Sequence, residues 1–281
     1  MTILRERLHE GHVPGANLDV FTMGNGGDDG TVGTIAIPVR DHINAATMTS
    51  WFMTDYTFLP NGANVSRFIL QGNILTLQRN EAVQRMNGDW LLFIDDDMVW
   101  TPDVVGRLIA SREEHDLDMV GALCFRRSDP YQPTLYMREE PTKGAYNFLE
   151  TWDDDIIEVD ATGLAFLLIH KRVFEAIAAS PMPPLEARIG GPPPNFFRWE
   201  GALGEDLRFC QDAKAAGMRI WVDTRIEVGH IGEHEIRRKN YLTELATRDQ
   251  SIVDARQAIN DKMGLPTLSR EDARKMLGWD E

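Results

Sequence analysis

Short apolar runs alternate with amphipathic segments in the first third of the chain. Residues 34–38, 68–70 and 90–94 are apolar runs of the length that favours buried strands. Residues 43–55 and 74–86 carry apolar positions at helical spacing, which predicts two helices between those strands. The order strand, helix, strand, helix, strand predicts a parallel βαβ sheet.

Similar patterns predict most of the remaining elements. Residues 126–155 are rich in proline, tyrosine and charge, which predicts hairpins and loops that reach over a site. Residues 181–194 hold six prolines and two glycines, which predicts an irregular loop able to act as a mobile lid. The other predicted elements are helices over residues 102–115, 171–179 and 204–217, and strands over residues 119–125, 156–159, 164–169 and 219–222.

One hydrophobic core without internal repeats predicts a single α/β domain with an extension at each end. The main domain is expected over residues 34–235. Residues 1–33 are polar and loosely patterned, which predicts a flexible lead-in, and residues 236–281 predict a helical C-terminal extension. The glycine-rich residues 23–33 belong to the lead-in, because a phosphate-binding loop follows a strand whereas this run precedes the first one.

The charge balance and the cysteine content restrict the expected partners and compartment. The chain has 29 Lys and Arg residues against 44 Asp and Glu residues, a formal net charge of −15. General attraction to nucleic acid or to an anionic membrane is therefore disfavoured. Cys124 and Cys210 lie in apolar segments, which predicts reduced, buried thiols. The N-terminus lacks the apolar core of a signal peptide and the longest apolar run, residues 161–169, is too short to span a bilayer, so we expect a soluble, cytoplasmic protein.

Three consecutive carboxylates follow the apolar run 90–94. Ligands of open α/β sheets bind beyond the carboxyl ends of strands, which is where Asp95, Asp96 and Asp97 are expected. Adjacent acids repel one another, so a divalent cation such as Mg2+ or Mn2+ is their expected partner, with positions left for a phosphate. The alternative is a solvated acidic turn. A second triplet, residues 153–155, has no apolar strand before it and predicts such a turn.

Two further elements can supply chemistry near these acids. Glu205 and Asp206 begin a predicted helix, where they are either simple N-terminal helix charge or the source of a general base. His230 lies in a glycine-flanked loop after a predicted strand, and a neutral imidazole is a suitable further ligand, better for Mn2+ than for Mg2+. A lone histidine is more often structural or exposed, so its role depends on where the fold brings it.

These motifs, in this order, resemble those of glycosyltransferases with the GT-A fold, in the family-2-like group of phage and bacterial genomes. The resemblance covers roughly residues 33–235. It implies an α/β fold with a single, mostly parallel central sheet flanked by helices. It also implies a nucleoside diphosphate sugar as donor, with UDP favoured, and a bound Mn2+ or Mg2+ ion. The motifs that carry it are residues 93–98, Gly163 within residues 159–166, residues 199–201, residues 204–210, and His230.

The resemblance implies roles for individual residues. Asp95 and Asp97 match the Asp-x-Asp positions, one typically on ribose or metal and the other on metal, and the share of Asp96 stays open. His230 matches the third metal ligand. Pro38, Val39 and Arg40 match a loop that meets the nucleoside, Arg79 and Asn80 match a helix that faces the donor, and Gly163 and Trp199 complete the expected donor site.

The implied reaction moves a sugar from the donor to an acceptor hydroxyl. Departure of the nucleoside diphosphate places negative charge on the β-phosphate, which a divalent ion stabilises and Arg40 or Arg79 can bind. Asp206 is the expected base for the acceptor hydroxyl, with Glu205 orienting the acceptor, although a retaining enzyme needs no such base. The helix N-terminus lowers the pKa of Asp206, and neighbouring acids oppose that shift. Trp199 is either a stacking surface for a sugar or nucleobase, or a core aromatic.

Two other functions and several acceptors fit parts of the sequence. Nucleotidyl transfer to a sugar phosphate uses a related sheet, but it favours a glycine-rich loop after the first strand, and residues 38–41 contain no glycine. A non-catalytic nucleotide-sugar binding module is the other alternative, and retention of both acidic elements argues against it. The acceptor is a glycan or small molecule, or a hydroxylated base in phage DNA if residues 126–127 and 237–239 form basic patches.

Overall fold

A nine-stranded sheet is the framework of the part of the chain that the computed structural model describes, residues 2–8, 18–24, 30–60, 63–138, 146–180, 195–201, 203–232 and 234–263. The strands in chain order are β1 (Thr2–Leu8), β2 (Leu18–Gly24), β3 (Thr31–Val39), β4 (Asn64–Gly72), β5 (Trp90–Ile94), β6 (Met98–Val99), β7 (Met119–Leu123), β8 (Leu135–Met137), β9 (Asn147–Phe148), β10 (Ile156–Val159), β11 (Ala161–Thr162), β12 (Phe166–His170), β13 (Ile220–Glu227), β14 (Gly229–Ile231) and β15 (Glu235–Ile236). The helices are α1 (Ala45–Met53), α2 (Leu75–Gln84), α3 (Val104–Glu114), α4 (Lys171–Ala179), α5 (Glu205–Ala215) and α6 (Arg238–Met263).

The strand directions place several carboxyl ends at one edge of the large sheet, whose strand order is β1-β2-β4-β3-β5-β12-β7-β13-β10. β3 pairs in parallel with β4 and with β5, and β13 pairs in parallel with β7. β12 runs antiparallel to both β5 and β7, so β7 and β13 point in the same direction as β3. The predicted α/β fold, with a mostly parallel central sheet flanked by helices, is confirmed.

β5 lies in the interior of this sheet and is buried at every position. Leu92 belongs to a core cluster that also contains Val104 and Leu108 of α3. Trp90 packs on β3 so closely that a Cβ added to Gly33 would lie 2.1 Å from the indole ring. Because the apolar residues of β5 are all covered, the polar residues that follow it lie at the edge of the sheet, where ligands of such folds bind.

The segment predicted to be a flexible lead-in contributes two strands to the large sheet. β1 and β2 form an antiparallel pair, and β2 also pairs antiparallel with β4. Leu18 and Val20 of β2 are buried, the alternation of a strand with one face on the core. The prediction for residues 1–33 was therefore wrong for the described strands, because so short an alternation does not stand out from its polar surroundings. Residues 9–17 and 25–29, which include part of the glycine-rich run, lie outside the described residues.

The helices α1 to α5 lie close to their expected bounds, whereas β4 begins four residues earlier and β13 ends five residues later than predicted. α3 covers the helix predicted after the acidic residues, and β8 and β9 form an antiparallel pair within the region predicted to contain hairpins. Cys124 and Cys210 are free and buried, as predicted. Residues 153–155 are exposed, which confirms the solvated acidic turn. The predicted lid, residues 181–194, lies outside the described residues.

The chain divides into two units, Met1–Arg237 and Arg238–Glu281. The second unit contains α6. The assignment of residues 34–235 and 236–281 as separate domains stays a prediction. Among the helices of the described residues, none combines the length and the apolar character needed to cross a bilayer.

We predict that Gly88→Ala destabilises the fold more than Gly217→Ala. Both glycines have a φ of 82°, a conformation that costs a residue with a Cβ about 1–2 kcal/mol. A Cβ at Gly88 would also lie 2.2 Å from the backbone of Val32, whereas nothing lies within 4 Å of a Cβ at Gly217. We expect this clash to cost about 1–3 kcal/mol more. Urea unfolding measures both losses, and equal losses would contradict the close approach at Gly88.

Candidate active site

A cavity of about 630 Å³ opens at the carboxyl ends of β3, β4 and β5. Of the residues predicted to form the site, it is lined by Pro38, Arg40, Asp95, Asp96, Asp97, Trp199 and His230. Its other lining residues are Gly72, Asn73, Ile74, Leu75, Gln78 and Arg127. The sequence thus located the cavity but did not indicate the wall that the end of β4 and the start of α2 provide.

The acidic tip, residues 95–97, is anchored by backbone hydrogen bonds to neighbouring elements. The carbonyl of Asp96 accepts from the N–H of Asn44 at 2.9 Å and from the hydroxyl of Thr47 in α1 at 3.1 Å. The N–H of Ile231 donates to the carbonyl of Asp97 at 2.9 Å. These bonds fix the backbone of the tip, so each of its side chains can hold a different partner.

Asp97 and His230 meet because two short strands pair. β14 runs antiparallel to β6, with His230 opposite Met98. The Nδ1 of His230 lies 2.8 Å from the carbonyl oxygen of Phe125, which can only accept, so Nδ1 carries a hydrogen. The Nε2 of His230 lies 3.3 Å from Oδ1 of Asp97. The imidazole is therefore fixed at one nitrogen and presents the other to the carboxylate.

Burial and neighbouring charges shift the pKa values of this pair and of Asp96. Burial alone would lower the pKa of His230, but contacts with Asp97 and Cys124 raise it to about 11. Burial also opposes ionisation of Asp97, whose pKa is nevertheless lowered by His230 and Arg127. Burial and the charges of the two adjacent aspartates raise the pKa of Asp96 to about 6. Asp97 and His230 are thus a charged pair at neutral pH, and a metal ion bound by the imidazole must displace its proton.

Of the three predicted metal ligands, Asp97 and His230 contact each other, whereas Asp95 contacts Arg79. Within the described ranges, no three His, Cys, Asp or Glu side chains are arranged to hold a metal ion. Asp97 and His230 are in contact, but Oδ1 of Asp95 accepts a hydrogen bond from Nη2 of Arg79 at 3.1 Å. This contact engages one of the two oxygens of the Asp95 carboxylate, so Asp95 as a metal ligand stays a prediction.

Arg79 joins the acidic tip to the start of α5. Its side chain is 3% exposed, and its Nη1 donates to Oε1 of Glu205 at 2.5 Å while its Nη2 donates to Asp95. Burial raises the pKa of Glu205, and the charge of Arg79 opposes that rise. The resemblance placed Arg79 on the donor and Glu205 on the acceptor, whereas the structure pairs them with each other and neither lines the cavity. The physical reason is that either charge would be costly at this depth without the other.

Asp206, the predicted base, is half-buried in the first turn of α5. Burial raises its pKa, while Arg79 and the N–H of Leu207, which donates to Oδ1 at 2.7 Å, oppose the rise. The lowering of this pKa expected from the helix N-terminus is therefore outweighed. Asp206 also lies near Tyr136 of β8, where its charge adds to burial in raising the tyrosine pKa to about 12. A carboxylate with a raised pKa is a stronger proton acceptor than an ordinary one.

Gln78 is a site residue that the sequence analysis did not identify. Its Nε2 donates to the carbonyl oxygens of Val39, of Leu70 at 2.7 Å and of Gly72 at 3.2 Å, so it ties the ends of β3 and β4 together beside the cavity. Val39 was expected to meet the nucleoside, but its side chain is in the core and its carbonyl is taken by Gln78. The apolar pattern gave no signal for it, because the buried residues of α2 are mostly polar and include Gln78, Arg79 and Asn80.

Asn80 and Gly163 were expected to meet the donor, and the structure places both outside the cavity lining. Asn80 is buried and donates to Oδ1 of Asn195 at 2.6 Å and to the carbonyl of Phe197 at 2.8 Å. Its role is to hold the segment that precedes Trp199. A Cβ added to Gly163 would make ordinary contact with a threonine side chain at 3.8 Å, so no close approach requires this glycine.

Trp199 forms an exposed wall of the cavity. Its side chain is 65% exposed, whereas Phe196 and Phe197 are buried in the core. The alternative that Trp199 is a core aromatic was therefore wrong. The other alternative, that Trp199 is a stacking surface for a sugar or a nucleobase, stays a prediction. Arg198, between these aromatics, forms a buried ion pair with Asp212 of α5, which fixes the segment to that helix.

The two arginines that were expected to form one basic patch have separate partners. Arg127 lines the cavity, and its Nη1 donates to Oδ2 of Asp97. The guanidinium of Arg126 lies over the ring of Phe148, 5.7 Å from the ring centroid. The pair therefore contributes one cation to the cavity and one to the packing of β9.

Comparisons with known proteins agree with the resemblance read from the motifs. Residues 65–177, less than half of the 281-residue chain, match the family described as Glycosyl transferase family 2. A search of curated protein sequences gave no match. The expected likeness to family-2-like glycosyltransferases of the GT-A fold is confirmed by the family match, which supports glycosyl transfer as the general activity.

Two of the solved structures that match this chain do so at low identity and low TM-score. The crystal structure of A197 from STIV has a TM-score of 0.46 and 15% identity, covering 72% of this chain and 85% of that chain. The crystal structure of S. aureus TarS 1-349 in complex with UDP-GlcNAc has a TM-score of 0.42 and 14% identity, covering 67% of this chain. This chain spans about half of the TarS chain, 55% of its length.

We predict that Arg79→Leu lowers the free energy of unfolding by about 3–5 kcal/mol, the usual cost of leaving a buried charge without its partner. The double variant Arg79→Leu with Glu205→Leu is expected to recover most of that loss, since the remaining acid, Asp95, is 32% exposed and can be hydrated. Urea unfolding of the wild type, both single variants and the double variant measures the coupling. A double variant as unstable as Arg79→Leu would contradict the ion-pair explanation.

Proposed function

We propose that this chain, whose residues 65–177 match Glycosyl transferase family 2, transfers a sugar from a nucleoside diphosphate sugar to an acceptor hydroxyl. The observation that carries the proposal is the convergence of Asp97, His230 and Arg127 at one cavity, which an exposed Trp199 also lines. The cavity volume of about 630 Å³ lies in the range of small-molecule sites. A UDP-linked sugar is the donor that we favour.

The donor is proposed to lie along the carboxyl end of β3. Pro38 and Arg40 form that part of the wall. Arg40 is exposed and its ion pair with Asp41 is long, 3.7 Å, so its guanidinium is available to a phosphate. Asp95 is fixed by Arg79, which makes its carboxylate an oriented acceptor for a ribose hydroxyl.

Asp97 and His230 fit a divalent cation such as Mn2+ or Mg2+. The imidazole has its Nδ1 held by a backbone carbonyl, the arrangement that orients histidines at metal centres. Two protein ligands suit an ion that also binds substrate phosphates. When bound, the ion would stabilise the negative charge of the departing diphosphate.

Asp206 is proposed to take the proton of the acceptor hydroxyl. Burial raises the pKa of Asp206, which strengthens it as a base, and the charge of the nearby Arg79 opposes that rise. Trp199 precedes α5 by a few residues and offers its exposed indole face to a sugar ring. The acceptor is therefore expected between Trp199 and the start of α5.

A glycan or a small molecule is the acceptor that the charges favour. Arg127 is paired with Asp97, Arg126 lies over an aromatic ring, and Arg237 is paired with Glu235. These described pairings neutralise much of the expected basic surface, and the chain as a whole carries a formal charge of −15. A duplex DNA acceptor would need an uncompensated cationic face.

We predict that Mn2+ and UDP together raise the melting temperature of the wild-type protein, since a ligand at a hundred times its Kd adds about 2.7 kcal/mol to the free energy of unfolding. Asp97→Asn and His230→Gln are expected to lose most of this shift, because each removes a proposed metal ligand. Asp153→Asn, from the exposed acidic turn, is the matched control and keeps the shift. Scanning fluorimetry with Mn2+, UDP and both measures it, and equal shifts in Asp97→Asn and Asp153→Asn would exclude the proposed site.

We predict that Asp206→Asn lowers the rate of sugar transfer about 100- to 10,000-fold, the range for loss of a general base. Stabilisation by Mn2+ and UDP is expected to stay unchanged, because Asp206 does not line the donor cavity. Release of UDP from a panel of UDP-sugars, with glycan and small-molecule acceptors present, measures the rate.

The pH dependence of the rate tests the same assignment of Asp206. The base must be ionised, and burial raises its pKa above the ordinary value of an aspartate. The rate therefore falls as the pH drops through this raised pKa, at a higher pH than for an ordinary carboxylate. This acidic limb is expected to disappear in Asp206→Asn, and an unchanged limb would refute the assignment.

A further inference from the structure

Both carboxylate oxygens of Asp97 contact cationic groups. Oδ1 lies 3.3 Å from Nε2 of His230, and Oδ2 accepts a hydrogen bond from Nη1 of Arg127. A metal ion that binds Asp97 must therefore take the place of at least one of these contacts. His230 is itself a proposed ligand of the ion and stays beside Asp97, so Arg127 is the cation that must move away.

His230 is held more firmly than Arg127. The side chain of His230 is 15% exposed and its ring is fixed by the carbonyl of Phe125. The side chain of Arg127 is 61% exposed. Its backbone, however, is packed so closely that a Cβ added to Gly232 would lie 2.4 Å from the Arg127 carbonyl oxygen. The guanidinium can thus swing through solvent while the backbone that carries it stays in place.

We propose that Arg127 is an exchangeable counter-ion, which pairs with Asp97 until a divalent cation takes that carboxylate and then binds the diphosphate of the donor. This inference rests on the proposed function. It adds a diphosphate-binding residue that neither the motifs nor the resemblance indicated.

The charges around the cavity support this exchange. The three carboxylates of the acidic tip repel one another, so a cation at Asp97 stabilises the tip. A guanidinium keeps its charge at any physiological pH and binds phosphate oxygens through two parallel hydrogen bonds. Arg127 already lines the cavity, so rotation of its side chain is sufficient to bring it from Asp97 to a phosphate in the same cavity.

The exchange gives Arg127 opposite effects on two ligands. It competes with a metal ion that binds alone, and it strengthens the binding of a diphosphate once the metal is present. A residue that only stabilised the fold would change both affinities in the same direction. The two affinities, measured separately, therefore distinguish the two roles.

The first arm of the test titrates Mn2+ alone into the wild type, Arg127→Gln and Arg126→Gln, with free Mn2+ followed by electron paramagnetic resonance. Arg126 is the matched control, because its guanidinium lies over Phe148 rather than on Asp97. Arg127→Gln is expected to bind Mn2+ about two- to five-fold more tightly, the range for loss of an exposed ion pair, and Arg126→Gln like the wild type. Equal or weaker binding by Arg127→Gln overturns the proposal.

The second arm measures binding of UDP and of uridine at saturating Mn2+ by calorimetry. Arg127→Gln is expected to bind UDP about ten-fold more weakly, the scale of one charge-assisted hydrogen bond, and uridine like the wild type. An unchanged affinity for UDP, or an equal loss for uridine, overturns the assignment to the diphosphate. The melting temperature of each variant confirms that it is folded. If the wild type binds neither Mn2+ nor UDP, the proposed function itself is refuted.

Discussion

The buried ion pair between Arg79 and Glu205 is the contact on which the arrangement of the site depends. Asp95 follows β5 and Glu205 begins α5, and Arg79 of α2 binds both carboxylates. A guanidinium at this depth is stable because both acids are present, and Glu205 is stable because Arg79 is present. One side chain therefore fixes the strand that carries the proposed donor site to the helix that carries the proposed base.

Local environment separates carboxylates that look equivalent in the sequence. Glu205 and Asp206 are neighbours in the sequence. Glu205 forms a buried ion pair with Arg79, whereas Asp206 is half-buried beside the proposed acceptor site. Asp95 and Asp97 contact different cationic side chains, Arg79 for the first, and His230 with the exposed Arg127 for the second. The role of each acid therefore depends on which cationic side chain it contacts.

The order of strands and helices could be predicted from the sequence, because apolar periodicity and the residues that end each element are local signals. The convergence of Asp97 and His230 could be predicted from the order of the motifs. The partner of Asp95 could not, since it depends on how α2 packs against β3 and β4 and on how deeply Arg79 is buried. β2 was missed for a similar reason. Its alternation of buried and exposed side chains is too short to identify a strand without knowledge of its pairing with β4.

β14 carries His230 and pairs with β6, whose first residue directly follows Asp97. The N–H of Ile231 also donates to the carbonyl of Asp97, so imidazole and carboxylate share one backbone frame. The spacing of these two groups is therefore set by the pairing of the two strands. The proposed binding of a cation would then require movement of the Arg127 side chain and loss of the His230 proton, but no rearrangement of the backbone that carries the two ligands.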